Sequence, residues 1–170
     1  YTLLINGEEY GKTEKVVTTI YGLKPDTEYK ITAVYAGKEY GPVEFKTDYE
    51  YVTLNVREFG AYGDGEHDDT NAIQCAIMAA PKDSRVLVPE GVYKISSIFL
   101  KDNLNLELAK GAVLSAFTER DKFPILPGQI ETYDEKDYYN LGTWEGNPLD
   151  MFSAIVCGIN CSNVTITGEG

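Results

Sequence analysis

The sequence predicts an all-β chain in two parts, on the basis of two strand patterns and one glycine-rich stretch. Residues 1–47 contain four to five short segments with alternating side chains and regular turns between them, which is typical of an antiparallel sandwich. After residue 85, segments of about five residues are separated by short turns, which fits a meander or the stacked coils of a solenoid. We therefore expect domains at residues 1–48 and 53–170.

The first part begins with a hairpin signal. Asn6 and Gly7 follow an apolar segment, and both residues tolerate the positive φ that a tight hairpin turn requires. Pro25 and Asp26 favour another turn, because proline fixes φ and aspartate bonds the local backbone. The predicted strands of this part include residues 1–5, 16–21, 29–35 and 43–46.

One helix is predicted near the start of the second part. Its apolar residues recur at i, i+3, i+4 and i+7, and they are Ile73, Ala76, Ile77 and Ala80. Pro81 ends the helix, and Asp68 or Asp69 can cap its N-terminus and interact with its positive end. Because the end of a solenoid needs a cap, we expect this helix to close the first coil.

Short strands follow the helix, with one long interruption. The strands are residues 85–88, 92–95, 98–100, 104–108, 113–114 and 164–167. Residues 117–150 contain prolines and many acidic and tyrosine residues, so we interpret them as an excursion on the surface. Loops of this length usually have a function.

The charge balance excludes some classes of partner. Asp and Glu number 27 against 15 Lys and Arg, which gives a formal net charge of −12 and an isoelectric point near 4.5. Nucleic-acid binding depends on cationic neutralisation of phosphates, so we expect none. No apolar run approaches the roughly 20 residues that a membrane-spanning helix needs. The chain begins with Tyr1 and has no visible signal peptide, so we expect an internal piece of a longer protein.

Residues 23–35 resemble the second half of a fibronectin type III domain. The pattern is Leu23-x-Pro25-x-Thr27-x-Tyr29, followed by alternating apolar residues and a glycine turn. Tyr29 stands where that family places a tyrosine whose hydroxyl ties the strand to the preceding crossover. The resemblance implies a partial fibronectin type III-like sandwich at residues 1–48 that lacks its first two strands. An unrelated antiparallel meander is the alternative.

A second resemblance covers residues 53–170 and is more specific. Residues 59–77 read F-G-A-x-G-D-G-x-x-D-D-T-x-A-I-Q-x-A-I, and residues 85–93 continue with R-V-L-V-P-E-G-V-Y. This is similar to the opening signature of the pectate-lyase-like superfamily. Further segments at 103–108, 111–114, 144–146 and 163–170 resemble glycoside hydrolase family 28, the polygalacturonases. The resemblance implies the N-terminal, capped coils of a right-handed parallel β-helix.

The resemblance also implies a function for the parent protein. It implies a secreted or periplasmic, exo-acting enzyme that hydrolyses α-1,4-galacturonosyl bonds of pectic polysaccharide with inversion. Inversion requires a general acid and a general base about 6.5–9.5 Å apart. The family's catalytic motifs are Asn-x-Asp, Asp-Asp, Gly-His-Gly and Arg-x-Lys. None is present here in its expected context, because Asp68-Asp69 belongs to the capping signature and Arg120-Asp121-Lys122 lies in the excursion.

We therefore expect no catalytic residue, no metal and no cofactor in this chain, and no hydrolytic activity from it alone. Two other functions for the parent stay open. It can be a polysaccharide lyase of the same superfamily, which would need Ca²⁺ and leave an unsaturated sugar. It can also be a non-catalytic carbohydrate-binding or adhesive scaffold. The oligomeric state is left open.

Several residue groups have a functional and a structural interpretation. Asp64, Asp68 and Asp69 can form an oxygen-rich Ca²⁺ site, although helix capping explains two of them. His67 with the three cysteines can form a zinc site, but free buried cysteines fit the scattered spacing better. The cysteines are Cys75, Cys157 and Cys161.

The excursion holds the remaining candidates. Trp144 is either a packing anchor or a platform that stacks on a sugar ring. An acidic, aromatic stretch would repel a polyanion, so it is interpreted as a solvated face; it comprises Glu131, Tyr133, Asp134, Glu135, Asp137, Tyr138 and Tyr139. Arg120 and Lys122 are better suited to contact galacturonate carboxylates.

Overall fold

The computed structural model describes residues 1–131, 133–134 and 136–170, which divide into two compact units, Tyr1–Glu50 and Tyr51–Gly170. The strands of the first unit are β1 Thr2–Ile5, β2 Glu8–Lys12, β3 Glu28–Tyr35 and β4 Lys38–Lys46. Those of the second are β5 Thr53–Asn55, β6 Asp64–Asp68, β7 Arg85–Val88, β8 Gly91–Ile95, β9 Ile98–Phe99, β10 Leu104–Leu108, β11 Ala112–Ala116, β12 Ile125–Leu126, β13 Gln129–Glu131, β14 Tyr138–Asn140, β15 Thr143–Trp144, β16 Asn147–Pro148, β17 Met151–Phe152, β18 Val156–Cys157 and β19 Val164–Gly168. The helix α1 spans Thr70–Ala79, and 3₁₀ turns occupy Val56–Phe59 and Arg120–Lys122.

The first unit is a four-stranded antiparallel sheet in the order β2-β1-β3-β4. The predicted hairpin at Asn6 and Gly7 is confirmed, with φ values of 53° and 86°. These values suit a turn whose twist matches that of its flanking strands. Tyr29 accepts a hydrogen bond at its hydroxyl from the N–H of Lys24, 2.8 Å away. The predicted tie between this strand and the preceding crossover is therefore confirmed.

The predicted strand at residues 16–21 is wrong. These residues have no strand pairing in the structure, and Val16 is 99% exposed. Their β-branched composition favours a strand only where the side chains pack against a second layer. The structure describes one sheet in this unit, so the partial sandwich and its fibronectin type III identity stay predictions.

The second unit is a parallel β-helix whose coils each add a strand to the same sheets. Sheet 1 has the order β19-β10-β7-β5, sheet 2 the order β11-β8-β6, and sheet 3 pairs β18 with β9. All of these pairings are parallel. Parallel pairing excludes the meander and confirms the predicted stack of coils. The right-handed winding stays a prediction.

The core of the second unit lies inside the coils and is built by the alternation of each strand. Val86 and Leu106 stack in register on sheet 1 and are buried. Tyr93 and Ile95 point inward from β8 and are fully buried, whereas Val92, between Tyr93 and the turn, is 41% exposed. The period-2 pattern therefore sets which side chains form the core and which form the outer surface.

The predicted helix is confirmed, and it covers the end of the coils at sheet 3. Ile73, Ala76 and Ile77 on α1 are fully buried in the core. The Gln74 side-chain amide donates to the carbonyl of Phe99 at 3.0 Å and accepts from its N–H at 2.7 Å. Gln74 thus satisfies the backbone of β9 as a neighbouring strand would.

The excursion contains more order than the sequence indicates. Strands β12 and β17 pair antiparallel at its base, and β13 with β14 and β15 with β16 form two further hairpins. The described residues of the excursion are mostly exposed, in agreement with its interpretation as a surface segment, but these hairpins were not predicted. No helix among the described residues is long and apolar enough to cross a membrane.

Candidate functional site

The glycine-rich turn before α1 is organised by Asp69. Its carboxylate is fully buried and accepts hydrogen bonds from the N–H groups of Tyr62 (2.6 Å) and Gly63 (3.0 Å). The prediction that Asp69 caps the helix through its side chain is wrong, because that carboxylate makes no cap hydrogen bond. The prediction holds for Asp68, which accepts from the N–H and the hydroxyl of Thr70, the first helical residue.

Arg57 is a second organiser of this turn that the sequence analysis did not identify. Its guanidinium donates to the carbonyl of Tyr62 at 2.8 Å and to that of Glu90 at 2.9 Å. It also lies 5.7 Å from the centre of the Tyr93 ring. Arg57 thereby joins the glycine-rich turn to the turn before β8. No local pattern marks such a residue, because its partners are backbone carbonyls, which every residue carries, and Glu90 is 33 residues away.

The structure does not bring the candidate metal ligands together. Asp64, Asp68 and Asp69 each bond to different local groups. Among residues 1–131, 133–134 and 136–170, no group of three or more His, Cys, Asp or Glu side chains could hold a metal ion. Both the Ca²⁺ and the zinc interpretations are therefore unsupported.

The cysteines are free, as predicted, but only one of them is buried. Cys157, on β18, is buried, whereas Cys75 on the helix is exposed and Cys161 is half-buried. The expectation of buried cysteines is therefore wrong for Cys75, because it lies off the apolar stripe of α1.

His67 belongs to a small surface cluster. Its Nδ1 lies 2.7 Å from a carboxylate oxygen of Asp64, and its ring stacks on Tyr62 with centroids 4.1 Å apart. The other carboxylate oxygen of Asp64 accepts the N–H groups of Glu66 and His67. Hydrogen bonds from the His67 and Glu66 N–H groups, and from the His67 ring, lower the pKa of Asp64 to about 2.

This shift predicts a specific pH dependence. Since the folded-state pKa of Asp64 lies below its ordinary value of 3.8, its contribution to stability is complete above about pH 4 and is lost as the pH falls through about 2. The free energy of unfolding of the wild type minus that of Asp64→Asn should shrink as the pH falls from about 4 through about 2. A carboxyl NMR titration measures the pKa directly. A midpoint near 3.8 would contradict the prediction.

Trp144 is not a packing anchor. It is 69% exposed at the tip of the β15–β16 hairpin, beside a turn formed by Glu145 and Gly146 with positive φ. The sugar-stacking interpretation of Trp144 stays a prediction. The residues of the acidic, aromatic stretch that the structure describes are exposed except half-buried Tyr139, and Glu135 lies outside the described residues.

A basic cluster meets the excursion at the outer face of sheet 2. The Nζ atoms of Lys94 and Lys122 lie 4.9 Å and 5.5 Å from the centre of the Phe117 ring. Lys122 was predicted as a candidate carboxylate contact, whereas Lys94 and Phe117 were not identified. Arg120 is exposed in the same 3₁₀ turn as Lys122. This cluster can bind an anionic group, because Lys122 is exposed and Lys94 is only half-buried.

The comparison with known families agrees with the coiled fold of the second unit. Residues 53–146 match the family described as "Rhamnogalacturonase A/epimerase, pectate lyase-like", which covers more than half of the chain. The chain belongs to this family. The match includes the glycine-rich turn, the cap helix and the β15 strand of the excursion, so the predicted superfamily is confirmed.

The relatives are longer proteins. The chain is 36% identical over 161 residues to "Exo-poly-alpha-D-galacturonosidase" of Dickeya chrysanthemi, which covers 88% of this chain and 25% of that protein. The family 28 exopolygalacturonase of Yersinia enterocolitica has a TM-score of 0.61 and 25% identity, over 98% of this chain and 35% of its own. The hyperthermoactive exopolygalacturonase of Thermotoga maritima has a TM-score of 0.54 and 30% identity, over 68% and 23%. The chain thus spans about a quarter of the length of the Dickeya chrysanthemi protein.

Proposed function

We propose that this chain is the N-terminal part of a pectin-degrading glycoside hydrolase that acts on polygalacturonate. The enzyme would hydrolyse α-1,4-galacturonosyl bonds with inversion and release sugars from the chain end. The observation that carries this proposal is the 36% identity over 161 residues to the exo-poly-α-D-galacturonosidase, which extends through both units of the chain. The two exopolygalacturonase structures support it independently through their folds.

In this proposal the 170 residues supply the capped coils of the β-helix and not the chemistry of the enzyme. An inverting hydrolase needs two carboxyl groups that flank the bond, one as acid and one as base. Asp64, Asp68 and Asp69 are each held by local hydrogen bonds, and they organise the turn and the start of the cap helix. We therefore place the catalytic pair in coils that follow Gly170.

A paired assay tests this proposal. The 170-residue chain should release no reducing ends from polygalacturonate. A protein that extends the chain through its further coils should release them steadily while the viscosity of the solution falls slowly, since exo action shortens each polymer from one end. Turnover by the 170-residue chain alone would show that our placement of the catalytic pair is wrong.

A polysaccharide lyase is the second candidate, because the matched family is described as pectate lyase-like. A lyase leaves an unsaturated sugar that absorbs ultraviolet light, whereas a hydrolase does not. Absorbance growth that requires Ca²⁺ in the same assay would favour the lyase. A protein that binds polygalacturonate without turnover would favour a non-catalytic scaffold.

We also propose that residues 1–48 are a partial fibronectin type III-like module and that the parent protein is secreted or periplasmic. The tie between Tyr29 and Lys24 supports the first proposal. The polymeric substrate supports the second, because a polysaccharide of the plant cell wall is met outside the cell. Fusing the parent's own N-terminal region to a reporter enzyme would test its export.

A further inference from the structure

Lys94 on β8 and Lys122 in the 3₁₀ turn share one aromatic ring, that of Phe117, at the outer face of sheet 2. Both Lys94 Nζ and Lys122 Nζ lie within 6 Å of the centre of the Phe117 ring, the distance at which cation–π attraction acts. Neither lysine has a carboxylate oxygen within 4.0 Å among the residues that the structure describes. In a chain with 27 acidic residues, this absence is notable.

The backbone holds the three side chains in place. Lys94 points outward because its neighbours on β8, Tyr93 and Ile95, are fully buried and successive side chains alternate. The N–H of Phe117 donates to the carbonyl of Ile95 at 2.9 Å, which fixes the ring beside β8. Lys122 is held by the 3₁₀ turn, in which its N–H donates to the carbonyl of Glu119 at 3.2 Å.

The carboxylate nearest in sequence, Glu119, is engaged elsewhere. Its Oε2 accepts hydrogen bonds from the N–H and the hydroxyl of Thr118. A hydrogen bond from the backbone N–H of Glu119 itself is the main cause that lowers the pKa of this carboxyl. The Thr118 hydroxyl also lowers this pKa, and the charge of Lys94 lowers it least. Glu119 therefore stays ionised but is turned toward Thr118, and within the described part of the chain it forms no ion pair with either lysine.

A bound anion relieves the repulsion between the two ammonium groups. The ring attracts each ammonium group, but the two like charges repel one another. A carboxylate that contacts both ammonium groups replaces repulsion with charge-assisted hydrogen bonds. We propose that Lys94, Phe117 and Lys122 form a binding site for the carboxylate of a uronate sugar in an acidic polysaccharide. The choice of a uronate rests on the proposed function.

Weak binding to the 170-residue chain can be measured by NMR. Adding trigalacturonate should shift the amide signals of Phe117 and Lys122 and the ring signals of Phe117. Replacing Lys94→Gln or Lys122→Gln should weaken the affinity by about fivefold or more, because each removes one charge-assisted contact. The matched control is Lys110→Gln, which removes an exposed lysine in the turn between β10 and β11 and should leave the affinity unchanged.

Two further ligands test whether the site requires a carboxylate and whether that carboxylate must belong to galacturonate. The fully methyl-esterified trisaccharide, which lacks the carboxylates, should not bind. An oligomannuronate that binds with the same lysine dependence would support the uronate site while weakening the assignment to polygalacturonate. Equal affinity of both lysine variants and the wild type, equal binding of the ester, or no binding of any uronate would overturn the proposal. Far-UV circular dichroism verifies that each variant is folded.

Discussion

Replacing Asp69 with alanine is expected to lower the free energy of unfolding of the second unit by about 2–4 kcal/mol. The substitution removes the acceptor of two backbone hydrogen bonds, from Tyr62 and Gly63. A hydrogen bond to a charged group contributes about 1.5–3 kcal/mol. Part of that loss is offset, because the wild type must keep a fully buried carboxylate away from water. We expect the lost hydrogen bonds to dominate, since two N–H groups at a close-packed turn are left without a partner.

Asp69→Asn tests the hydrogen-bond acceptors of the side chain separately from its packing. The amide has nearly the same shape, but it offers one acceptor oxygen where the carboxylate offers two. One of the two N–H groups would then face an NH₂ group, so we expect Asp69→Asn to be nearly as destabilising as Asp69→Ala. Stability equal to the wild type in Asp69→Asn would contradict this account.

Asp68→Ala is the matched control for Asp69→Ala. Asp68 is exposed and bonds to Thr70 at the helix start, so its loss should cost about 1 kcal/mol, as for other helix caps. Urea denaturation followed by far-UV circular dichroism measures both changes. A loss in Asp68→Ala as large as that in Asp69→Ala would show that the burial of Asp69 is not decisive.

The coils could be predicted from the sequence because each strand alternates and each turn is marked. Residues 85–88 and 104–108 were predicted with the bounds that the structure gives. Buried and exposed side chains alternate along these strands, so only one pairing register places the apolar side chains inside. The helix was predicted for a related reason, because its apolar stripe and Pro81 define a face and an end.

The parts that were missed depend on contacts between distant residues. The hairpins of the excursion have strands of two or three residues, too short for any periodicity to appear. Arg57 bonds to backbone carbonyls, which every residue carries, so its sequence neighbours give no signal. Lys94 and Phe117 meet only because β8 and β11 pair in parallel, with Lys94 opposite Ser115.

A large effect of a single methyl group is expected at Gly63. This residue has a φ of +65°, and a Cβ atom there would lie 2.8 Å from Cζ of Tyr93 and 3.0 Å from Nη2 of Arg57. The Tyr93 ring is fully buried, so Gly63→Ala overpacks the core. Overpacking costs about 1–3 kcal/mol, and the positive φ adds about 1 kcal/mol.

Gly60→Ala measures the free-energy cost of the positive φ without a steric clash. Gly60 also has a positive φ, of +98°, but a Cβ atom there would meet no heavy atom within 4 Å. We therefore expect Gly60→Ala to cost about 1–2 kcal/mol and Gly63→Ala to cost clearly more. If the Tyr93 ring causes the difference, replacing Tyr93→Leu should make Gly63→Ala less costly by about 1 kcal/mol in a double-mutant cycle. Additive losses in that cycle would show that the Tyr93 ring is not the obstacle.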